Sequence, residues 1–200
     1  MTPKRQNPQL IKLRVNGSSM WLIMPFLWGI LEAVLLFMVP DVPVSMVTLK
    51  RGTKAGIIAS IAAAIGAAIG GGAMYYWGQK DLFGVLAIIE KLPAISPQMI
   101  DKVIMQMHGA RPFIAMLIGS FQGTPYKIYA SIASSVNIPI WQILLLTPLI
   151  RLPRFLVAVG ATSVAAQWAR KLIASEKAIF WSAICIWAFF YALYWSIMPN

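Results

Sequence analysis

Cysteine and histidine are almost missing from this sequence: a single Cys185 and a single His108 in 200 residues. One cysteine forms no intrachain disulfide framework, and one histidine assembles no Cys/His metal cluster or Cys–His catalytic pair. No metal site and no cofactor are therefore expected. Acidic residues are also scarce, six against 17 lysines and arginines. They form no cluster of the kind a lipid phosphatase would use, and His108 reads as a surface or interface residue, so an enzyme is not expected. Charge of either sign is sparse, 12% of residues against 59% hydrophobic, which excludes an ordinary soluble domain.

What is present is a set of apolar runs at Trp21–Val39, Ala55–Trp77, Phe113–Val136, Ile138–Val159 and Ile179–Met198. Runs of this length point to a multi-pass, all-α integral membrane protein. The 14 glycines and 13 prolines fall largely inside these runs. Spanning helices tolerate them where protein or water satisfies the freed backbone groups, so helices that bend, break or line a cavity are expected. The basic start with Lys4, Arg5, Lys12 and Arg14 imitates a signal peptide, but Trp21–Val39 is long, contains Glu32 and has no clear small-x-small cleavage site; it reads as retained. Three segments result: a basic cytoplasmic stretch 1–17, a membrane unit 18–178 and a last crossing 179–200 that leaves the C-terminus outside.

The net charge of +11 does not point to nucleic acid, because the basic residues are dispersed along the chain rather than set on one soluble face. They read as topology. Lys50, Arg51 and Lys54 early and Arg170, Lys171 and Lys177 late mark cytoplasmic ends, while the balanced stretch Gly78–Arg111 lies outside. Both ends of Trp21–Lys54 are then on one side, so this segment, broken at Pro40 and Pro43, enters and leaves the membrane. Arg111–Asn137, broken at Gly123-Thr124-Pro125, does the same from the opposite face. Its first limb, Arg111–Gln122, reaches only about 18 Å as a helix, against a hydrocarbon core of about 30 Å. The alternative is an ordinary kinked spanning helix. The expected architecture is two oppositely oriented re-entrant hairpins plus spanning helices in an inverted-repeat arrangement, with short helices at Asp81–Leu92 and Ser96–His108 between them. Inverted pairs with broken helices are a transporter design whose breaks form the substrate site. Gly66, Gly70, Ala59, Ala63 and Ala67 form a small-residue face suited to close helix packing inside one chain, and compatible with a homo-oligomer.

Five ionisable residues interrupt the apolar segments: Glu32, Asp41, Lys127, Arg151 and Arg154. Insertion of Asp, Lys or Arg at a helix centre costs about 2.5–3.5 kcal/mol each. Asp41 and Thr124 read as N-caps of half-helices that follow the two breaks. Lys127 in the first turn of such a helix opposes its dipole unless an anion answers it. Arg151 and Arg154, at i and i+3, suit a phosphate or carboxylate; alternatively Arg151 pairs with Glu32 or Asp41 and Arg154 reaches for the headgroups. Glu32 and Asp41 are candidates for proton coupling.

The order Glu32…Pro40-Asp41-Val42-Pro43, GGGAMYYWG, GSFQGTPYKIYASIA and RLPRF resembles the DedA family, also called VTT-domain or SNARE-associated Golgi proteins, most closely its YqaA-like branch. The resemblance covers about Trp28–Gly160. It implies two opposed re-entrant hairpins, a cytoplasmic-membrane location and lipid transport, chiefly of undecaprenyl phosphate in bacterial members and of phospholipids in eukaryotic scramblases, with dependence on the proton-motive force. It implies a substrate site at Glu32, Asp41, Lys127, Arg151 and Arg154, to which the reading of the residues adds Thr124. Pro-Asp-Val-Pro and Gln122-Gly123 depart from the family's tighter proline cluster and Thr-Pro. A non-transporting membrane assembly factor with structural charge pairs is the rival expectation.

Overall fold

A computed structural model describes residues 20–35, 38–173 and 175–197, the side chain of Trp195 apart. The basic stretch 1–17 lies outside the described residues. Within them the chain is all helical: α1 Met20–Val34, α2 Asp41–Arg51, α3 Thr53–Lys80, α4 Leu82–Glu90, α5 Pro97–His108, α6 Pro112–Gln122, α7 Tyr126–Ile132, α8 Ile140–Leu172 and α9 Glu176–Ile197. Helices α3, α8 and α9 are long and apolar enough to cross a bilayer, which makes this a membrane protein.

The two expected short helices form where their caps stand. Asp81 accepts the amide of Gly84 at 2.8 Å, and Ser96 accepts that of Met99 at 3.3 Å, with Pro97 opening α5. The crossing expected to end near Val159 continues instead to Leu172, because the alanine-rich stretch beyond Gly160 favours helix and no proline interrupts it. The last helix begins at Glu176, three residues before the expected boundary.

Helix α3 is the central post, packed against α1, α2, α7 and α8. Its small residues permit this. A Cβ on Gly66 would lie 2.1 Å from the carbonyl oxygen of Phe26, one on Gly29 would lie 2.1 Å from that of Ala63, and one on Gly70 would meet Ile30 O at 2.6 Å. Backbone therefore meets backbone along α1 and α3, and the glycine face serves packing inside the chain. Gly78 makes the same approach to Ser131 O of α7, at 1.9 Å for an added Cβ.

The early and late basic groups meet at one end of the helices. Arg170 donates to Leu49 O at 3.2 Å and to Glu176 at 2.7 Å, Lys50 lies over the Phe180 ring, and Thr53 bonds Ser163 at 2.9 Å. The nearly balanced α4 and α5 pack on α7, beside the other end of α3. Each of the two helix breaks joins arms too short to cross a bilayer singly: 15 and 11 residues at the first, 11 and 7 at the second.

Candidate functional site

The first break interrupts the chain between α1 and α2, and backbone groups beside it find protein partners, as broken helices in an apolar setting require. Trp28 Nε1 donates to Met38 O and the Val39 amide donates to the Tyr191 hydroxyl, each at 2.8 Å. Asp41 does not cap α2. Pro40, already helical in its torsions, takes the cap position with no side-chain bond, and Asp41 is the first helical residue, its carboxylate turned to α8.

The second break is built on Gly123, whose φ of 81° lies in the left-handed region that glycine enters without penalty. This turns the amides of both Gly123 and Thr124 back onto Gly119 O. Thr124 thus closes the end of α6 rather than capping α7, whose cap position falls to Pro125. With seven residues, α7 is too short to supply a helix-end anion site; what it contributes is the side chain of Lys127.

Four elements bring the five charges together. From α8, Arg151 Nη2 donates to Glu32 Oε2 of α1 at 2.7 Å, both residues buried. One turn on, Arg154 Nη2 donates to Asp41 Oδ2 of α2 at 2.7 Å, and its Nη1 donates to Ser120 O at the end of α6 at 2.8 Å. Arg151 pairs with Glu32, and Arg154 pairs with Asp41 rather than reaching for headgroups. The guanidinium of Arg151 lies 5.2 Å from the ring centre of Tyr126 and 5.4 Å from that of Phe155. Tyr126 in turn hydrogen-bonds Thr147, which fixes this wall. Lys127 is buried to 1% exposure.

A cavity of about 170 Å³ lies between the two breaks. Glu32, Thr124, Lys127, Arg151 and Arg154 line it; Trp187, Phe190, Tyr191 and Tyr194 of α9 form an aromatic wall opposite. Of the six expected site residues, Asp41 alone is not on this cavity: it lines an adjoining recess of which Arg154 is also part. Ser120 and the four aromatic residues of α9 were not singled out from the sequence. Ser120 lines the cavity, is buried, and its hydroxyl has no hydrogen-bond partner among the described residues. The same holds for Arg151 Nε on the same cavity. Two desolvated donors without acceptors form a place where an acceptor-rich group gains what the protein leaves unmade. A serine inside GSFQG gives no such signal, because its orientation follows from the α6 terminus.

Asp41 Oδ1 likewise has no donor among the described residues. Among the same residues no group of three or more His, Cys, Asp or Glu is placed to hold a metal ion. His108 sits at the end of α5, exposed and bonded through Nδ1 to Ile104 O, and is not among the residues that line the cavity. Compared with family models, curated proteins and solved structures, the chain shows no significant match.

Proposed function

We propose that the protein translocates an anionic lipid across the cytoplasmic membrane, with a polyprenyl phosphate such as undecaprenyl phosphate as the substrate class. The observation that carries this is the gathering of three cations and two carboxylates from four elements around a cavity between two helix breaks, in a chain otherwise made of apolar helices. The formal sum of those five residues is positive, and the cavity adds the unmade donors Ser120 Oγ and Arg151 Nε. A phosphate offers acceptor oxygens to both, while the aromatic wall of α9 suits the apolar stem that follows a headgroup. No covalent step is required: sheltering the charge from hydrocarbon lowers the barrier to crossing.

In this reading the two broken units are re-entrant hairpins of opposite orientation within an inverted repeat, and the chain is a DedA-family member. Support comes from the arm lengths and from the meeting of Lys50 and Arg170 at one end, the cytoplasmic one by the positive-inside rule. Cysteines introduced at Lys54 and Lys177, with Cys185 removed, then label from the cytoplasm, and one at Lys80 labels from outside. Asp41, with Oδ1 undonated, is the proton-coupling candidate, and Glu32, closed onto Arg151, is released when an anion draws that arginine away.

The closed geometry of both ion pairs favours a second reading, a membrane assembly factor in which the pairs are structural. Purified protein in liposomes with fluorescent polyprenyl phosphate and ordinary phospholipids, with and without a pH gradient, separates the possibilities. Selective, gradient-dependent movement supports the carrier-lipid transporter. Equal movement of all lipids makes it a scramblase, and no movement by folded protein leaves the assembly factor.

A further inference from the structure

Beyond Arg154 the part of α8 that faces α9 carries small side chains, Ala161, Thr162, Ala165, Ala166 and Ala169, and these leave a trough against α9. Leu49 and Ser45 of α2 close its floor, and Ile179, Ser182 and Ile186 line the α9 side, giving a groove of about 320 Å³. Its inner hydroxyls are spent on each other, Thr162 donating to Ser45 Oγ at 3.1 Å, so the wall presented to an occupant is apolar.

The groove has two different ends. Inward it shares Ser45, Thr162 and Trp187 with the recess that holds Asp41 and Arg154, and through Arg154 and Trp187 that recess adjoins the charged cavity. Asp41 lines that recess, and its buried Oδ1 has no donor among the described residues. Outward it shares Leu49 and Ile179 with a wider opening of about 560 Å³, where Lys50, Arg170 and Lys177 stand against one carboxylate, Glu176. Arg154 and Arg170 are separated by about 24 Å of helix at ~1.5 Å per residue. Of that distance the apolar lining of α8, Ala161 to Ala169, covers about 12 Å at ~1.5 Å per residue, and an apolar slot with a cationic mouth at one end matches an anionic lipid in charge and in shape.

We infer that this groove is a second lipid site, with the phosphate of an anionic lipid at Lys50, Arg170 and Lys177 and a hydrocarbon chain laid between α8 and α9 toward Trp187. Binding there needs no translocation. Its role as the loading position, from which a headgroup passes to the Asp41 recess and the central cavity, rests on the function proposed above.

The test uses the full chain in phosphatidylcholine vesicles, with phosphatidic acid carrying a diazirine at the end of one chain, and phosphatidylcholine with the same chain as comparison. After photolysis, adducts are mapped by mass spectrometry. The expected result is labelling at Ala165, Ile186 and Trp187, several-fold stronger from phosphatidic acid, and reduced to the phosphatidylcholine level by the double variant Lys50→Gln/Lys177→Gln. Filling the trough with Ala165→Phe removes these adducts while labelling on the outer face of α3, at Ile57 and Ile61, persists and reports folded protein. Equal labelling of α3 and the groove, or labelling indifferent to headgroup charge, overturns the site. Transport measured in the same vesicles keeps the two ideas apart: groove adducts without transport retain the site and remove translocation.

Discussion

Arg154 holds Asp41 and Ser120 O with the two arms of one guanidinium, and so ties the break between α1 and α2 to the break between α6 and α7. A planar fork can make two such bonds at fixed angles, whereas an ammonium on a flexible stem cannot hold both. Arg154→Lys is expected to retain folded protein and lose most transport. Arg154→Ala is expected to lower stability by about 3–5 kcal/mol through the stranded Asp41. Thermal unfolding in detergent beside liposome transport separates these effects.

The Glu32–Arg151 pair offers a cleaner division of structure from function. Breaking a buried pair is costly, while replacing both partners by apolar residues of similar size is often neutral. Glu32→Leu alone should destabilise by about 3–5 kcal/mol, and Glu32→Leu with Arg151→Met should recover most of it. If the site moves lipid, the double variant is stable and inactive; a stable double variant with full transport would remove both residues from the site.

Ser120→Ala removes a buried hydroxyl that has no partner among the described residues. Its desolvation cost, about 1–3 kcal/mol, disappears with it, so melting temperature should hold or rise. Transport of the phosphate lipid should fall several-fold. Unchanged transport would place the bound phosphate elsewhere in the cavity.

Tyr191→Phe leaves the Val39 amide without its acceptor on α9. An amide stranded in an apolar setting costs about 1–3 kcal/mol, and the first break should open locally. Hydrogen exchange over residues 38–44 is expected to accelerate at least tenfold, with α3 unaffected.

Gly66→Leu sets a side chain where a Cβ alone would stand 2.1 Å from Phe26 O. Helices α1 and α3 must part, and the expected cost is about 1–3 kcal/mol or more. A shift of the unfolding midpoint checks it; an unchanged midpoint would mean that the two backbones are not in contact.

Much of this was legible in the sequence because hydropathy and charge act locally. The apolar runs gave the three long helices, Asp81 and Ser96 announced α4 and α5, and glycine spacing announced the backbone contact of α3. The basic flanks that meet at Lys50 and Arg170 were readable for the same reason. Pairing was not: Arg151 had Glu32 and Asp41 as equal partners until α1 and α2 were placed around α8. Thr124 and Asp41 carried cap-forming side chains, but the left-handed Gly123 and the helical Pro40 each moved the cap by one residue. Ser120 and the α8–α9 groove depend wholly on which way neighbouring helices face.

The contact of Gly70 with Ile30 and Ala33 also fixes a depth. Glu32 lies beside that contact, and along α3 Gly70 is about 24 Å from Lys54 but only about 15 Å from Lys80, at ~1.5 Å per residue. The charged cavity therefore divides the length of α3 unequally. Under the proposed function, a headgroup arriving from the basic end would have the longer passage, and the trough between α8 and α9 runs along that longer part.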